Sequence, residues 1–207
     1  MSDIAILHLD ESCLGNGREG QNPGGGGGLV EVRSASGRIQ RRDFYISSPA
    51  TTNTRMALSG AIAALQLLAR KGARLKVLMV SDSQYLVKGM REWVPGWAAR
   101  GWKRKLGAIE NLELWKTLLA SSRLHDVQWT WVRGHKGHAK NEYANDLAVL
   151  AAREQTTSAG MVESGFGEWL ELHRAKGLYP EYDPDAAFAS LERRLALDEP
   201  FPLADER

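Results

Sequence analysis

Three β-type runs precede any helical pattern in this chain, and that order constrains the fold more than any other feature. "IAILHLD" (4–10), "GLVEVRS" (28–34) and "IQRRDFYIS" (39–47) read as strands, with a hairpin turn at "ASGR" between the last two. Leu58, Ile62, Leu65 and Leu68 then recur at helical spacing, one apolar stripe on a helix from Asn53 to Arg70. "LKVLMVSD" is a buried strand ending at Asp82. A basic, Trp-rich helix pair over 83–105, the amphipathic "LELWKTLLASSR", the alternating strand "VQWTWV" and a helix over 140–153 follow. Three strands, then strands alternating with helices, predict a mixed α/β sheet with helices on its faces. The segment "GNGREGQNPGGGGG" (15–28) reads as an open, flexible connection. It lacks the Gly-Lys-Ser/Thr that a phosphate-binding loop needs.

Charge divides the chain. Residues 155–207 hold 11 acidic and 5 basic residues, whereas the first 154 carry 22 basic and 14 acidic. A basic body of residues 1–154 suits a polyanionic partner, and the acidic 155–207 reads as an extension without an assigned role. Within that extension, "FGEWLELHRAKG" and "DPDAAFASLERRLAL" predict two short helices. Asp183 is the expected N-cap of the second and Pro184 its first residue. Cys13 is the one cysteine, so no intrachain disulfide forms. No run approaches the ~20 apolar residues of a membrane span, and the N-terminus lacks a basic, apolar leader. A cytoplasmic monomer with no membrane partner is expected.

The chemistry centres on two aspartates, Asp10 and Asp82, that end two separate strands. Strand ends are where sites gather in α/β sheets, although a lone Asp there is often only a turn residue. Two carboxylates brought together repel unless a cation lies between them, and hard divalent ions take such oxygen ligands. Around them stand "LDESCLGN", "TNTRM", "SDSQY", "GMREWVPGWAARGWK" and "WVRGHKGHAKNEYANDLA", in that order and at domain-scale spacing. Together these resemble ribonuclease H type 1, over residues 3–153.

The resemblance implies a ribonuclease H-like fold, a five-stranded mixed sheet flanked by helices, here with a short helical extension. It implies Mg²⁺-dependent (or Mn²⁺-dependent) endonucleolytic cleavage of the RNA strand of RNA–DNA hybrids, by two metal ions held in a cluster of four carboxylates beside a mobile histidine. Asp10 and Asp82 match the first and third carboxylates, and His135 the histidine. The second falls on Ala57 and the fourth on Asn145, so two of four ligands are absent and activity is expected to be impaired or abolished. A hybrid- or duplex-RNA-binding module without catalysis is the alternative. Glu11 and Asp146 are the carboxylates that could compensate. Glu11, next to Asp10 on a strand, is expected to point to the opposite face, and Asp146 lies ~100° around the helix from Asn145. For hybrid binding, the resemblance implicates Asn16, Asn53, Thr54 and Gln84 at 2′-hydroxyls and base edges, and Thr52 and Arg55 at a DNA phosphate. It also implicates a basic protrusion over 88–105, with Trp93, Trp102, Lys103 and Lys105. The protrusion tryptophans also read as a mini-core between two short helices; His138 reads as structural, and Trp129 and Trp131 as core.

Overall fold

A computed structural model describes residues 4–15, 22–70, 72–104, 106–134 and 137–202. A sheet of six strands runs through it in the order β5-β4-β1-β2-β3-β6. These are β1 (Ile4–Cys13), β2 (Gly24–Arg33), β3 (Ile39–Ser48), β4 (Lys76–Ser81), β5 (Asp126–Trp131) and the two-residue β6 (Val162–Glu163). β1, β2 and β3 are antiparallel neighbours, while β4 lies parallel to both β1 and β5. Strand β6 comes from the acidic extension and pairs with β3 through Arg42–Glu163 and Asp43–Val162. The sheet therefore exceeds the five expected strands by one.

Helices cover both faces. On one lie α1 (Asn53–Ala69) and α4 (Leu112–Ser122), and the Leu58, Leu65 and Leu68 stripe of α1 packs against Ala5, Leu7 and Leu9 of β1. The α1 N-cap is Thr52, whose hydroxyl accepts the Arg55 N–H; Asn53 is the first helical residue. Between β4 and α4 the basic segment forms α2 (Gln84–Lys88), a π turn (Gly89–Trp93) and α3 (Val94–Ala99). Trp93 and Trp97 pack there with Tyr85 and Trp115, ring to ring, so both build the mini-core. On the other face lie α5 (Ala139–Glu154) and two extension helices, α6 (Phe166–Arg174) and α7 (Pro184–Ala196). Asp183 caps α7 as expected, accepting from the backbone of Asp185 and Ala186.

The glycine run corrects the sequence reading. Gly24–Gly28 is strand, buried throughout, and not a flexible loop. A Cβ on Gly27 would lie 2.5 Å from the Ala144 carbonyl oxygen and 2.6 Å from the Ala148 nitrogen; one on Gly25 would lie 2.2 Å from the Ala148 oxygen. α5 thus rests directly on the β2 backbone, with alanines on one side and glycines on the other. That contact sets the height of α5 over the end of β1. Among the described residues, no helix is long and apolar enough to cross a membrane.

Candidate active site

Asp10 and Glu11 sit on β1 just beyond Leu9, the last residue paired with β4, and Asp82 directly follows β4, the parallel neighbour. Ligand oxygens of Asp10, Glu11 and Asp82 all lie within 4.8 Å of one another. Strand alternation does send Asp10 and Glu11 to opposite faces. Asp10 pairs with Gly27 on the α5 side, and Glu11 pairs with Gly26, whose missing Cβ would meet Gly60 of α1. The expectation that Glu11 would therefore point away from the site fails: β4 stops pairing with β1 at Leu9–Ser81, so beyond it β1 runs on with that edge open, and both side chains bring an oxygen close to Asp82.

Ala57 lies one turn before Gly60, buried in the same core cluster as Leu9. A glutamate at 57 would approach the site from the α1 side, the side that Glu11 already occupies. Ala57 itself offers no ligand oxygen, whereas Glu11 does.

Surrounding groups fix this cluster. The Asn141 amide donates to the Leu9 carbonyl at 3.2 Å and to Asp10 Oδ2 at 3.3 Å, and the Glu11 N–H donates to Asp10 Oδ1 at 2.7 Å. Gly134, of the "RGH" motif, lies so close to Asp82 that a Cβ there would be 2.2 Å from Asp82 Oδ2. The Trp131 indole donates to the Asp82 carbonyl at 2.8 Å. Asn141 and Gly134 were not singled out from sequence. The signal was present in "NEYAN", which puts Asn141 and Asn145 on one helical face.

Burial first, and then the Asp82 charge, push the Asp10 carboxyl up to about 8. Burial, then Asp10 and Asp82, push Glu11 up to about 8 against a hydrogen bond to Ser83. Asp10 and Glu11, buried and crowded against Asp82, disfavour their own ionisation, and a hard divalent cation relieves that repulsion. The donor set therefore fits Mg²⁺ or Mn²⁺. Asn145 is half-buried on α5. Asp146 is exposed, accepts from the Trp169 indole at 2.8 Å, and stands outside the three-carboxylate cluster.

The sequence profile described as RNase H matches residues 3–153. The chain belongs to the ribonuclease H family. It is 42% identical over 149 residues to a ribonuclease H of Pelobacter propionicus, covering 72% of this chain and 84% of that one. It is 40% identical over 155 residues to ribonuclease HI of Caulobacter vibrioides, covering 74% and 96%. Among solved structures, it matches LC9-RNase H1, described as a type 1 RNase H with the type 2 active-site motif. That match has a TM-score of 0.76 and 55% identity and covers 82% of this chain and 81% of the other.

The positions that ribonuclease H type 1 uses for hybrid binding divide by location. Thr52, Asn53, Thr54 and Arg55 form the start of α1, with Thr52 and Arg55 exposed and Asn53 and Thr54 half-buried, and Gln84 opens α2 two residues after Asp82. Among the described residues, the buried Asn53 Oδ1 has no hydrogen-bond partner. Trp93 belongs to the aromatic mini-core, Trp102 is half-buried with φ of 62°, and Lys103 is exposed. Asn16, Lys105 and His135 lie outside the described residues. His138 occupies the N-cap of α5 without a side-chain cap hydrogen bond.

The raised pKa values give a prediction. A group whose folded pKa exceeds its unfolded value loses its stabilising contribution as pH rises from the unfolded toward the folded pKa. Metal-free protein is therefore expected to lose stability between about pH 4 and about pH 8 through Asp10 and Glu11. A bound cation reverses this, so Mg²⁺ should raise Tm by a few degrees more at pH 8.5 than at pH 5.5. Thermal melts in EDTA and in Mg²⁺ at the two pH values would show it, and an equal Mg²⁺ effect at both would count against the site.

Proposed function

We propose that this chain is a Mg²⁺-dependent ribonuclease H that retains catalysis, with Glu11 taking the role that the family gives to the residue at position 57. It cleaves the RNA strand of RNA–DNA hybrids endonucleolytically, leaving 5′-phosphate and 3′-hydroxyl ends. The observation that carries this reading is the convergence of Asp10, Glu11 and Asp82. The 55%-identical relative described as a type 1 fold with a type 2 active-site motif also supports a rearranged carboxylate set in such a fold. On this reading, Ala57 records relocation of a ligand and not its loss.

Bound divalent metal would supply a water nucleophile at neutral pH and charge stabilisation at the leaving oxygen. The chain's own residues supply the rest. Asp10, Glu11 and Asp82 would hold the metal. Asn141 and the Glu11 N–H orient the Asp10 carboxylate, and Gly134 and Trp131 confine Asp82. Asn145 offers a neutral oxygen where the family has an aspartate. The α1 N-terminus and Gln84 meet the hybrid near the scissile bond, and the basic protrusion meets the DNA strand through its cations. Solved relatives include LC11-RNase H1, described as in complex with RNA/DNA hybrid.

An end-labelled hybrid incubated with the chain in Mg²⁺, in Mn²⁺ and in EDTA tests this. Cleavage of the RNA strand in either metal and none in EDTA is expected, with DNA duplex left whole. Tight hybrid binding without cleavage in either metal would instead make the chain a binding module.

A further inference from the structure

We propose that Asp146, positioned by the Trp169 indole of the C-terminal extension, is a water-mediated member of the metal site and restores the negative charge that Asn145 lacks. The inference rests on reading Asp10, Glu11 and Asp82 as the metal ligands. Three observations carry it.

The first is location. Ala144 of α5 lies against Gly27, the strand partner of Asp10. The next two residues, Asn145 and Asp146, therefore stand close to the level of Asp10 along β1. Asp146 is a helical step of ~100° from Asn145, so its carboxylate is displaced from the direct-ligand direction. It lies outside the Asp10–Glu11–Asp82 group, which fits an action through water rather than by direct coordination.

The second is orientation. The Trp169 indole donates to Asp146 Oδ2 at 2.8 Å, which leaves the other carboxylate oxygen to accept from water. Exposed aspartates ordinarily spread over several rotamers; this one has a fixed donor.

The third is that the donor itself is built in. Trp169 stacks on His173 with ring centroids 3.8 Å apart, lies 5.9 Å from Phe166 in a stacked pair, and meets Tyr143 edge-on at 5.6 Å. The α6 helix that carries it is tied to the sheet at its start, where Asp43 accepts from the Gly165 N–H and the Ser164 hydroxyl. Packing fixes the indole, and the indole fixes the carboxylate. The extension thereby acts on the metal site through Trp169 as a positioning residue.

The test is Mn²⁺ binding to the purified full chain without substrate, by isothermal titration, for the parent, Asp146→Asn, Trp169→Phe and the double variant. Phenylalanine keeps the ring packing and removes the donor; melts in EDTA check that the fold is intact. Each single variant should bind Mn²⁺ on the order of threefold to tenfold more weakly, as expected for one charge acting across water on a dication. The double variant should be no weaker than Asp146→Asn alone, since the two residues act as one unit. The loss should shrink in high salt. Asp146→Asn binding within twofold of the parent overturns the proposal, as does Trp169→Phe binding like the parent or additive losses in the double variant. Glu11→Gln in the same titration separates the premises. If it binds like the parent, or if the parent binds no Mn²⁺, the three-carboxylate reading fails as well. If Glu11→Gln abolishes binding and Asp146→Asn does not weaken it, only the role of Asp146 fails.

Discussion

Replacing Glu11 by glutamine is expected to lower hybrid cleavage in Mg²⁺ by at least a factor of ~100, with hybrid affinity in EDTA little changed. The substitution keeps size and hydrogen-bonding capacity and removes one of three converging negative charges. It should also remove the share of the pH dependence of metal-free stability that Glu11 itself contributes, because the carboxyl that burial and the Asp10 and Asp82 charges push up to about 8 is gone. The companion change, Ala57→Glu, separates this reading from an inactivated site. If Ala57 were only a missing ligand, restoring glutamate would raise activity. With Glu11 already on that side of the sheet, a second glutamate in a position only 4% exposed brings like charges together in the core. Ala57→Glu in the parent should therefore melt lower and cut no faster. Combined with Glu11→Gly, the same glutamate should recover activity relative to Glu11→Gly alone. Activity of Glu11→Gln equal to the parent would sink the relocated-ligand reading.

The strand and helix order was legible because period-two and period-3.6 patterns are local, and α1, β4, α4 and β5 fall within a residue or two of their expected bounds. What was hidden depended on contacts between distant segments. Five consecutive glycines look like a loop by propensity, yet α5 rests on them so closely that side chains at Gly25 and Gly27 would not fit. Asp10 and Asp82 were visible as a pair, although β1 runs past Asp10 to Cys13 instead of ending there. The place of Glu11 was not, because alternation tells which face a side chain leaves from and not that the neighbouring strand β4 stops just before that point. Asn141 and Gly134 act through geometry around Asp10 and Asp82 that no spacing rule encodes. The acidic composition of the extension left its role unassigned, whereas its few apolar residues are spaced to reach the sheet.

Ending the chain at residue 155 is expected to abolish cooperative folding or to lower Tm by more than ten degrees. β6 would vanish from the β3 edge. Phe188, Leu195 and Phe201 would no longer cover Ile6, Leu78 and Val80 on the central strands, and Phe166 and Leu170 would leave Leu29 and Tyr143 bare. Each of those five buried apolar side chains contributes roughly 1.5–3 kcal/mol, which together rivals the whole ~5–15 kcal/mol stability of a domain. Ordering the extension offsets part of that gain, but the exposed apolar face would remain. A polar network is broken as well. Glu31, with no exposure, holds Lys140 at 2.7 Å and Arg41 at 2.9 Å, and those cations also bind Pro184 and Asp185 of α7. Truncation opens this buried ion group to water on one side and leaves its partners incomplete. Because the truncated chain could fail for want of solubility alone, Phe188→Ala in the full chain gives a second reading. It should cost about 3–5 kcal/mol in a denaturant titration. A soluble truncated protein that melts near the parent and cuts hybrid would show the extension to be dispensable to the fold, and a near-neutral Phe188→Ala would locate the core of this face elsewhere.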